Sequence, residues 1–394
     1  MKYNFDEIIN RKGTNALKTD ALAARYGNAE LIPLWVADMD FKSPPAITEA
    51  IIERAHHGIF GYTCASQEYY NSIINWVNRH HNWQIQQEWI TFIPGIVKGI
   101  AFVLDCFTSK DHQIIIQPPV YHPFRIIPTL HHRIVVDNPL TLEAGQYKMD
   151  LEGLKNIINP ASKVLILCNP HNPGGRVWTR QELIDIAEIC YEHKILVISD
   201  EIHSDLAFAP HKHIPFASVS EKAAQNSITF MAPSKTFNIA GIVSSYSIIP
   251  NDELRKKFNK YLESSELDEG HIFAYLAAQI AYEHCDEWLA QAKDYIWNNI
   301  KLVDEYLKAN IPQIKAMTPE ASFLVWLDCR ELNLSQKALV SLFVDDAKLA
   351  LNDGEMFGQG GEGYMRLNVG TPLANIQKAL DNLKKAVNAK QIHD

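Results

Sequence analysis

The chain has 394 residues, of which 47% are hydrophobic and 21% charged, and its formal net charge is −9. This length exceeds what one hydrophobic core usually supports, so we expect a large domain with a smaller companion. The negative charge argues against a nucleic-acid-binding protein, because such proteins cluster Lys and Arg to neutralise phosphates.

The first residues show no basic segment followed by an apolar run, and no stretch approaches the roughly 18 apolar residues of a membrane span. We therefore expect a cytoplasmic protein without membrane contact. Six scattered cysteines without a Cys-x-x-Cys pair indicate small core residues rather than a zinc site or disulfides. The histidines at 56–57, 80–81, 131–132 and 211–213 lack Cys or carboxylate partners at ligand spacing, so we interpret them as solvated surface residues and expect no metal.

Short apolar runs alternate with helical patterns through the middle of the chain, which is typical of βαβ units in a mostly parallel sheet. The predicted strands are 113–117, 163–168, 195–199, 227–231 and 244–249. Residues 179–193 carry apolar side chains at helical spacing and are predicted to cover this sheet.

After Pro250 the pattern becomes helical to about residue 309, with Gly270 as its main breaker. A strand at 323–328 and helices at 335–345 and 374–389 follow. The sequence thus predicts a doubly wound α/β domain over 46–285 and a smaller α+β domain formed by 1–45 and 286–394.

Three polar residues each follow a predicted strand. Lys235 lies among small and apolar residues, where desolvation would lower its pKa and make it a nucleophile or base suited to Schiff-base chemistry. A surface lysine in a loop explains this segment equally well. Asn172 lies between Asn-Pro and Gly-Gly pairs that are also ordinary loop signals, and Asp200 could be a helix N-cap. Because one βα unit separates each residue from the next, their side chains can converge at the carboxyl edge of one sheet.

This order of residues resembles the fold-type I pyridoxal-phosphate (PLP) enzymes, and more closely the MalY/PatB branch of cystathionine β-lyases and cysteine desulfhydrases. The similarity runs over essentially the whole chain. It rests on the segments PLWVADMDF at 33–41, FGYT at 60–63, PGIVK at 94–98, PPVY at 118–121, the asparagine loop, DEIHSD at 200–205 and 233–241.

The resemblance implies that Lys235 carries the cofactor covalently, that Asp200 pairs with its protonated pyridine nitrogen and that Asn172 holds its phenolic oxygen. Tyr121 would stack on the ring and take part in catalysis. The remaining cofactor-binding residues that it implies are Ile96, Val97 and Lys98 at a helix start, Ser234, His203, and Tyr62 donated across a homodimer interface.

The substrate site is also implied by the resemblance. Arg366 would bind the substrate α-carboxylate, because a guanidinium forms two parallel hydrogen bonds to a carboxylate. Ala37 and Asn172 would border the substrate. A surface arginine beside a strand, and an apolar core stretch around Ala37, are the structural alternatives.

One position departs from the broader fold-type pattern. Many aminotransferases place a phosphate-binding arginine eight residues after the Schiff-base lysine, where this chain has Val243. We expect Lys98 to compensate in part for the lost charge. The substitution favours the lyase branch over ordinary aminotransferases.

The expected reaction is β-elimination from cystathionine, cysteine or an S-substituted cysteine, which gives pyruvate, ammonia and a thiol. Two alternatives stay open. An aminotransferase would use the same site but need a keto-acid acceptor, and a regulatory or binding protein would use the site weakly or not at all.

Overall fold

The computed structural model describes residues 2–391. Position 1 and positions 392–394, the two ends of the predicted small domain, lie outside the described residues. The helices are α1 Leu17–Asp20, α2 Leu22–Tyr26, α3 Pro45–His56, α4 Gln67–His81, α5 Ile96–Phe107, α6 Pro123–Leu130, α7 Leu151–Ile157, α8 Arg180–Glu192, α9 Glu221–Gln225, α10 Pro233–Thr236, α11 Asp252–Glu263, α12 Ile272–His284, α13 Asp286–Asn310, α14 Gln336–Ser341 and α15 Leu373–Gln391.

The strands are β1 Ile32–Pro33, β2 Ile90–Ile93, β3 Gln113–Ile116, β4 Ile134–Asp137, β5 Thr141–Glu143, β6 Gln146–Lys148, β7 Ser162–Cys168, β8 Leu196–Asp200, β9 Ser227–Met231, β10 Ser245–Ile248, β11 Lys315–Met317, β12 Leu324–Asp328, β13 Leu349–Ala350, β14 Asn352–Asp353 and β15 Tyr364–Asn368. Each strand predicted in the middle of the chain is present.

Within residues 2–391, the large domain is built on a seven-stranded sheet with the order β2-β10-β9-β8-β7-β3-β4. The strands from β9 to β4 are parallel, and β10 runs antiparallel to both of its neighbours. The prediction of a mostly parallel α/β sheet is therefore confirmed. The carboxyl ends of β7 and β8, and that of β9 beside them, lie at the same edge, which is where such sheets bind ligands.

Helices cover both faces of this sheet. On one face Ile166 and Ile198 pack with Ile100 of α5 and Phe258 of α11. On the other face the alternate strand residues pack against α8. Strands that are buried on both faces read as continuous apolar runs, which is why the sequence revealed them. Helix α8 begins at a capping box between Thr179 and Glu182.

The smaller sheet has the order β11-β12-β15-β14 within the described chain, and its strands are antiparallel. It shares an apolar cluster with α13 and α15, to which Leu307, Leu327 and Leu380 belong. Strand β1 pairs with β13, so the N-terminal segment is hydrogen-bonded to this part of the chain. The exact division into domains stays a prediction.

Two expectations about single residues are wrong. His81 and His213 are buried rather than solvated, because each is hydrogen-bonded to a buried carboxylate: Asp205 at 2.9 Å for His81 and Glu201 at 2.7 Å for His213. Cys64 is exposed and Cys106 is only partly buried, so not every cysteine is a core residue. Among residues 2–391, no group of three or more His, Cys, Asp or Glu side chains is arranged to hold a metal ion. No helix in this range is long and apolar enough to cross a membrane.

Candidate active site

A cavity of about 190 Å³ lies at the carboxyl edge of the large sheet. It brings together most of the residues that the sequence singled out. Those that line it are Ala37, Ile96, Val97, Tyr121, Asn172, Asp200, His203, Ser234 and Lys235. These residues come from separate βα units and from the N-terminal segment, so the fold assembles them.

Lys235 lies one short turn beyond β9. Pro233 occupies the first turn of α10, where its fixed backbone angle suits a helix start and its missing N–H costs no hydrogen bond. The Lys235 ammonium donates a hydrogen bond of 2.5 Å to the carbonyl of Ala37. Burial is the main cause that lowers the pKa of Lys235 to about 8. The charge of Arg366 contributes to this decrease, while Asp38 and Asp200 oppose it. The amine is thus partly neutral, and reactive, near neutral pH.

Asp200 is the last residue of β8 and is buried. Its Oδ1 accepts a hydrogen bond of 3.1 Å from the backbone N–H of Ile202. Burial raises the pKa of Asp200 to about 7, against the effects of that hydrogen bond and of Lys235. A buried carboxylate in this position interacts strongly with a positively charged nitrogen, because little solvent screens the pair.

Arg366 lies in the middle of β15 and is 4% exposed. Its Nη1 donates to Oδ1 of Asn172 at 2.9 Å, and its Nη2 donates to Oδ1 of Asn352 at 2.6 Å and to the carbonyl of Trp35 at 3.1 Å. Arg366 does not line the cavity itself but contacts it through Asn172. These neutral acceptors fix the guanidinium without cancelling its charge, so it can still attract an anion.

Two aromatic side chains border the cavity. Burial raises the pKa of Tyr121, so the phenol keeps its proton. Burial lowers the pKa of His203 to about 3, assisted by the charges of Lys235 and Arg366, so this imidazole is neutral. The Nδ1 atom of His203 is buried and has no hydrogen-bond partner. An unpaired polar atom facing a cavity is costly, and it indicates a ligand.

The other end of the cavity is formed by neutral groups. Helix α5 begins there after Gly95, whose φ of 106° is one that few other residues adopt. Val243 lies across from it in a left-handed backbone conformation, and the buried hydroxyl of Ser244 has no partner. A helix N-terminus beside the unpaired hydroxyl of Ser244 is suited to a phosphate even without an arginine.

Two residues named from the sequence lie elsewhere. The side chain of Lys98 is exposed and does not line the cavity, so its charge is not placed to replace the missing arginine. Its backbone lies in the first turn of α5. Tyr62 is fully exposed and lies outside the cavity of its own chain.

Three residues that contribute to the site were not predicted from the sequence. Ser244 and Ser245 line the end of the cavity at the start of α5, and Asn352 holds Arg366. Ser244 and Ser245 directly follow Val243, the position of the missing arginine, so their place in the sequence could have indicated them. Asn352 carried none, because its contact with Arg366 depends on the pairing of β14 with β15.

Comparisons with known proteins agree with this geometry. Residues 29–383 match the family model of aminotransferase class I and II. Cystathionine beta-lyase PatB of Bacillus subtilis is 42% identical over 98% of this chain and 100% of its own length. Protein MalY of Escherichia coli is 30% identical over 98% and 99% of the two chains. The crystal structure of cystalysin from Treponema denticola, which contains pyridoxal 5'-phosphate, superposes with a TM-score of 0.96 at 35% identity, covering 99% and 100%.

The chain therefore belongs to the aminotransferase class I and II family, with the fold of fold-type I PLP enzymes. Its cofactor is pyridoxal phosphate. Within this family it is a C–S lyase of the MalY/PatB type, which confirms the resemblance read from the sequence. The cavity fits this cofactor, because it offers a buried amine, a buried carboxylate, a helix N-terminus and the unpaired polar atoms of His203 and Ser244.

Proposed function

We propose that this enzyme eliminates the sulfur substituent from Cβ of S-substituted cysteines, among them L-cystathionine, and releases a thiol, pyruvate and ammonia. The observation that carries the proposal is that Lys235 and Asp200 line one cavity and that Arg366 is hydrogen-bonded to Asn172 of the same cavity. When bound there, pyridoxal phosphate supplies a conjugated ring that accepts the electron pair left at Cα. Asp200 would keep the ring nitrogen protonated, and the NH₂ group of Asn172 is the donor left for the phenolic oxygen.

Different protein groups bind the substrate and accept its proton. Arg366 binds the α-carboxylate and thereby orients the Cα–H bond. The amine of Lys235, with a pKa lowered to about 8, accepts the Cα proton. The Cβ–S bond then breaks, and the electron pair leaves with sulfur, which takes up a proton to become the thiol. One water molecule converts the released enamine acid to pyruvate and ammonium, so atoms and charges balance.

The decisive experiment is turnover without a keto acid. The holoenzyme with L-cystathionine should release pyruvate and thiol in many equivalents per active site, because a thiolate at Cβ is a good leaving group. An aminotransferase would stop after one half-reaction and resume only when a keto acid is added. Product limited to one equivalent would overturn the lyase assignment in favour of that alternative.

We also propose a homodimer that works in the cytoplasm. An exposed apolar segment supports the dimer, since Ile59, Phe60 and Tyr62 are 66%, 59% and 105% exposed. Such a patch on a globular chain marks a contact surface. The six cysteines are free thiols in the described chain, as is usual in a reducing compartment.

Mixing inactive variants tests whether Tyr62 serves the neighbouring site. Tyr62→Ala and Lys235→Ala homodimers should both be weak or inactive. In a hybrid dimer one site keeps Lys235 and receives an intact Tyr62, so activity should reappear after subunit exchange. Exchange shown by mass spectrometry of differently tagged chains, without any rescue, would contradict the shared site.

A further inference from the structure

Trp35, two residues before the cavity-lining Ala37, contacts two arginines. Its carbonyl accepts the hydrogen bond from Arg366 Nη2 at 3.1 Å. The guanidinium of Arg25 packs over its indole ring, with the Arg25 Cζ 4.8 Å from the ring centroid. This cation–π contact holds Arg25 in place. A single residue thus links the proposed α-carboxylate anchor to a second cation.

The two guanidiniums differ in their surroundings. Arg366 is buried, and both of its Nη atoms donate hydrogen bonds while its Nε has no partner. Arg25 is exposed and forms no ion pair with any Asp or Glu within the described residues. The acid near this segment, Asp353, already accepts hydrogen bonds from Gln336 and from the backbone of Glu355. Arg25 is hydrogen-bonded to the side chain of Tyr26, but no carboxylate neutralises its charge, so it can still pair with an anion brought by a ligand.

His122 lies in the field of both cations. Its ring centroid is 5.2 Å from that of Tyr121 and 6.2 Å from that of Phe357. The Cζ atom of Arg366 lies 5.0 Å from the same Phe357 centroid. The His122 Nδ1 atom is buried without a hydrogen-bond partner. Burial is the main cause that lowers the pKa of His122 to about 4, with contributions from the charges of Arg366 and Arg25, so the ring is neutral. A neutral imidazole offers one N–H donor to a ligand.

We propose that Arg25, assisted by His122, is a specificity-determining residue that binds a carboxylate on the leaving thiol. The enzyme then prefers S-substituted cysteines whose sulfur substituent ends in a carboxylate, such as cystathionine, over those with an uncharged alkyl group. This inference rests on the proposed function. Its physical basis is that the substrate is held at both ends: the α-carboxylate by Arg366 and the distal carboxylate by Arg25, through charge-assisted hydrogen bonds.

The test compares two substrates of equal length, S-(2-carboxyethyl)-L-cysteine and S-propyl-L-cysteine, by release of pyruvate. In Arg25→Gln, the ratio of kcat/KM for the carboxylated over the uncharged substrate should fall about tenfold, as expected for one lost charge-assisted contact. The change should appear in KM. Lys256→Gln removes an exposed charge on α11 and is the matched control. A ratio that is unchanged in Arg25→Gln, or that falls equally in Lys256→Gln, would overturn the proposal.

Charge reversal sharpens the result. Arg25→Glu should favour S-(2-aminoethyl)-L-cysteine over the carboxylated substrate, because the new carboxylate attracts the ammonium. His122→Phe keeps a ring of similar shape but removes the N–H, and it should lower the same ratio severalfold. If the parent enzyme releases no pyruvate from any of these substrates, the proposed function itself fails. If it releases pyruvate but Arg25→Glu shows no shift in preference, only the role of Arg25 fails.

Discussion

The two walls of the active site are built in different ways. The wall from the large sheet carries Lys235, Asp200 and Asn172, each just beyond or at the end of a strand in one continuous sheet. The other wall, here called the composite wall, has Ala37 at the cavity and Trp35 and Arg366 behind it. Trp35 and Arg366 are 331 positions apart in the chain and are joined by a hydrogen bond. The first wall follows the order of the sequence, whereas the second exists only after the chain ends have come together.

The large-sheet wall is also supported from behind by buried polar groups. Asp205 accepts hydrogen bonds from Thr236, next to Lys235, at 2.7 Å and from Trp76 at 2.9 Å. Glu201, next to Asp200, accepts a hydrogen bond from Ser199 at 2.7 Å. Such networks hold side chains rigidly when every member is satisfied. We propose that the large-sheet wall, held rigid in this way, carries the bond-breaking chemistry and that the composite wall selects the substrate.

Removal of Lys235 should produce the largest effect, because the large-sheet wall then lacks its reactive amine. Lys235→Ala should lower kcat by about a thousandfold or more, the range expected for loss of a positioned base. It should also abolish covalent attachment of the cofactor. Borohydride reduction followed by peptide mapping measures this directly, and Lys256→Ala should behave like the parent enzyme. Attachment at a different lysine would show that Lys235 is not the residue that binds the cofactor covalently.

Loss of Arg366 tests the composite wall and should have an intermediate effect. Arg366→Ala removes a carboxylate contact worth roughly 1.5–3 kcal/mol. This corresponds to a decrease of about 10- to 150-fold in kcat/KM, mostly through KM. Arg330→Ala, an exposed arginine of the same domain that pairs with Asp328, is the matched control. An equal decrease in kcat with an unchanged KM would mean that the two walls do not divide the work as described.

The smallest effect concerns pH. In cofactor-free protein, only the neutral amine of Lys235 reacts with added pyridoxal phosphate, and the pKa lowered to about 8 sets its population. The rate of attachment, followed by visible absorbance, should rise about tenfold per pH unit below pH 8 and level off above it. An amine with the ordinary pKa of 10.5 would keep accelerating towards pH 10. That continued rise would show that burial does not lower the pKa of Lys235.

The lowered pKa of Lys235 also predicts how the stability of the cofactor-free protein changes with pH. Between about pH 8 and 10.5 the unfolded chain binds more protons at this lysine than the folded chain does. The free energy of unfolding of the cofactor-free protein should therefore receive a contribution from Lys235 that increases with pH across this window.

The sequence by itself determined the large sheet and the residues at its edge. Strands buried on both faces require continuous apolar runs, and the residues following them share one edge, so Asn172, Asp200 and Lys235 could be found from their order alone. The motifs around them also indicated the family and the cofactor. Helix α8 was predicted for a similarly local reason, since its cap and its apolar spacing lie within one segment.

Only the tertiary structure decided the rest. It placed Lys98 outside the cavity and Ser244 inside it, because the direction of a side chain on α5 or before β10 depends on how these elements pack. It buried His81 and His213 against Asp205 and Glu201, which are 124 and 12 positions away. It also joined Arg25 and Arg366 through Trp35. Such contacts depend on long-range packing and leave no periodic pattern in the sequence, so local physical chemistry could not reveal them.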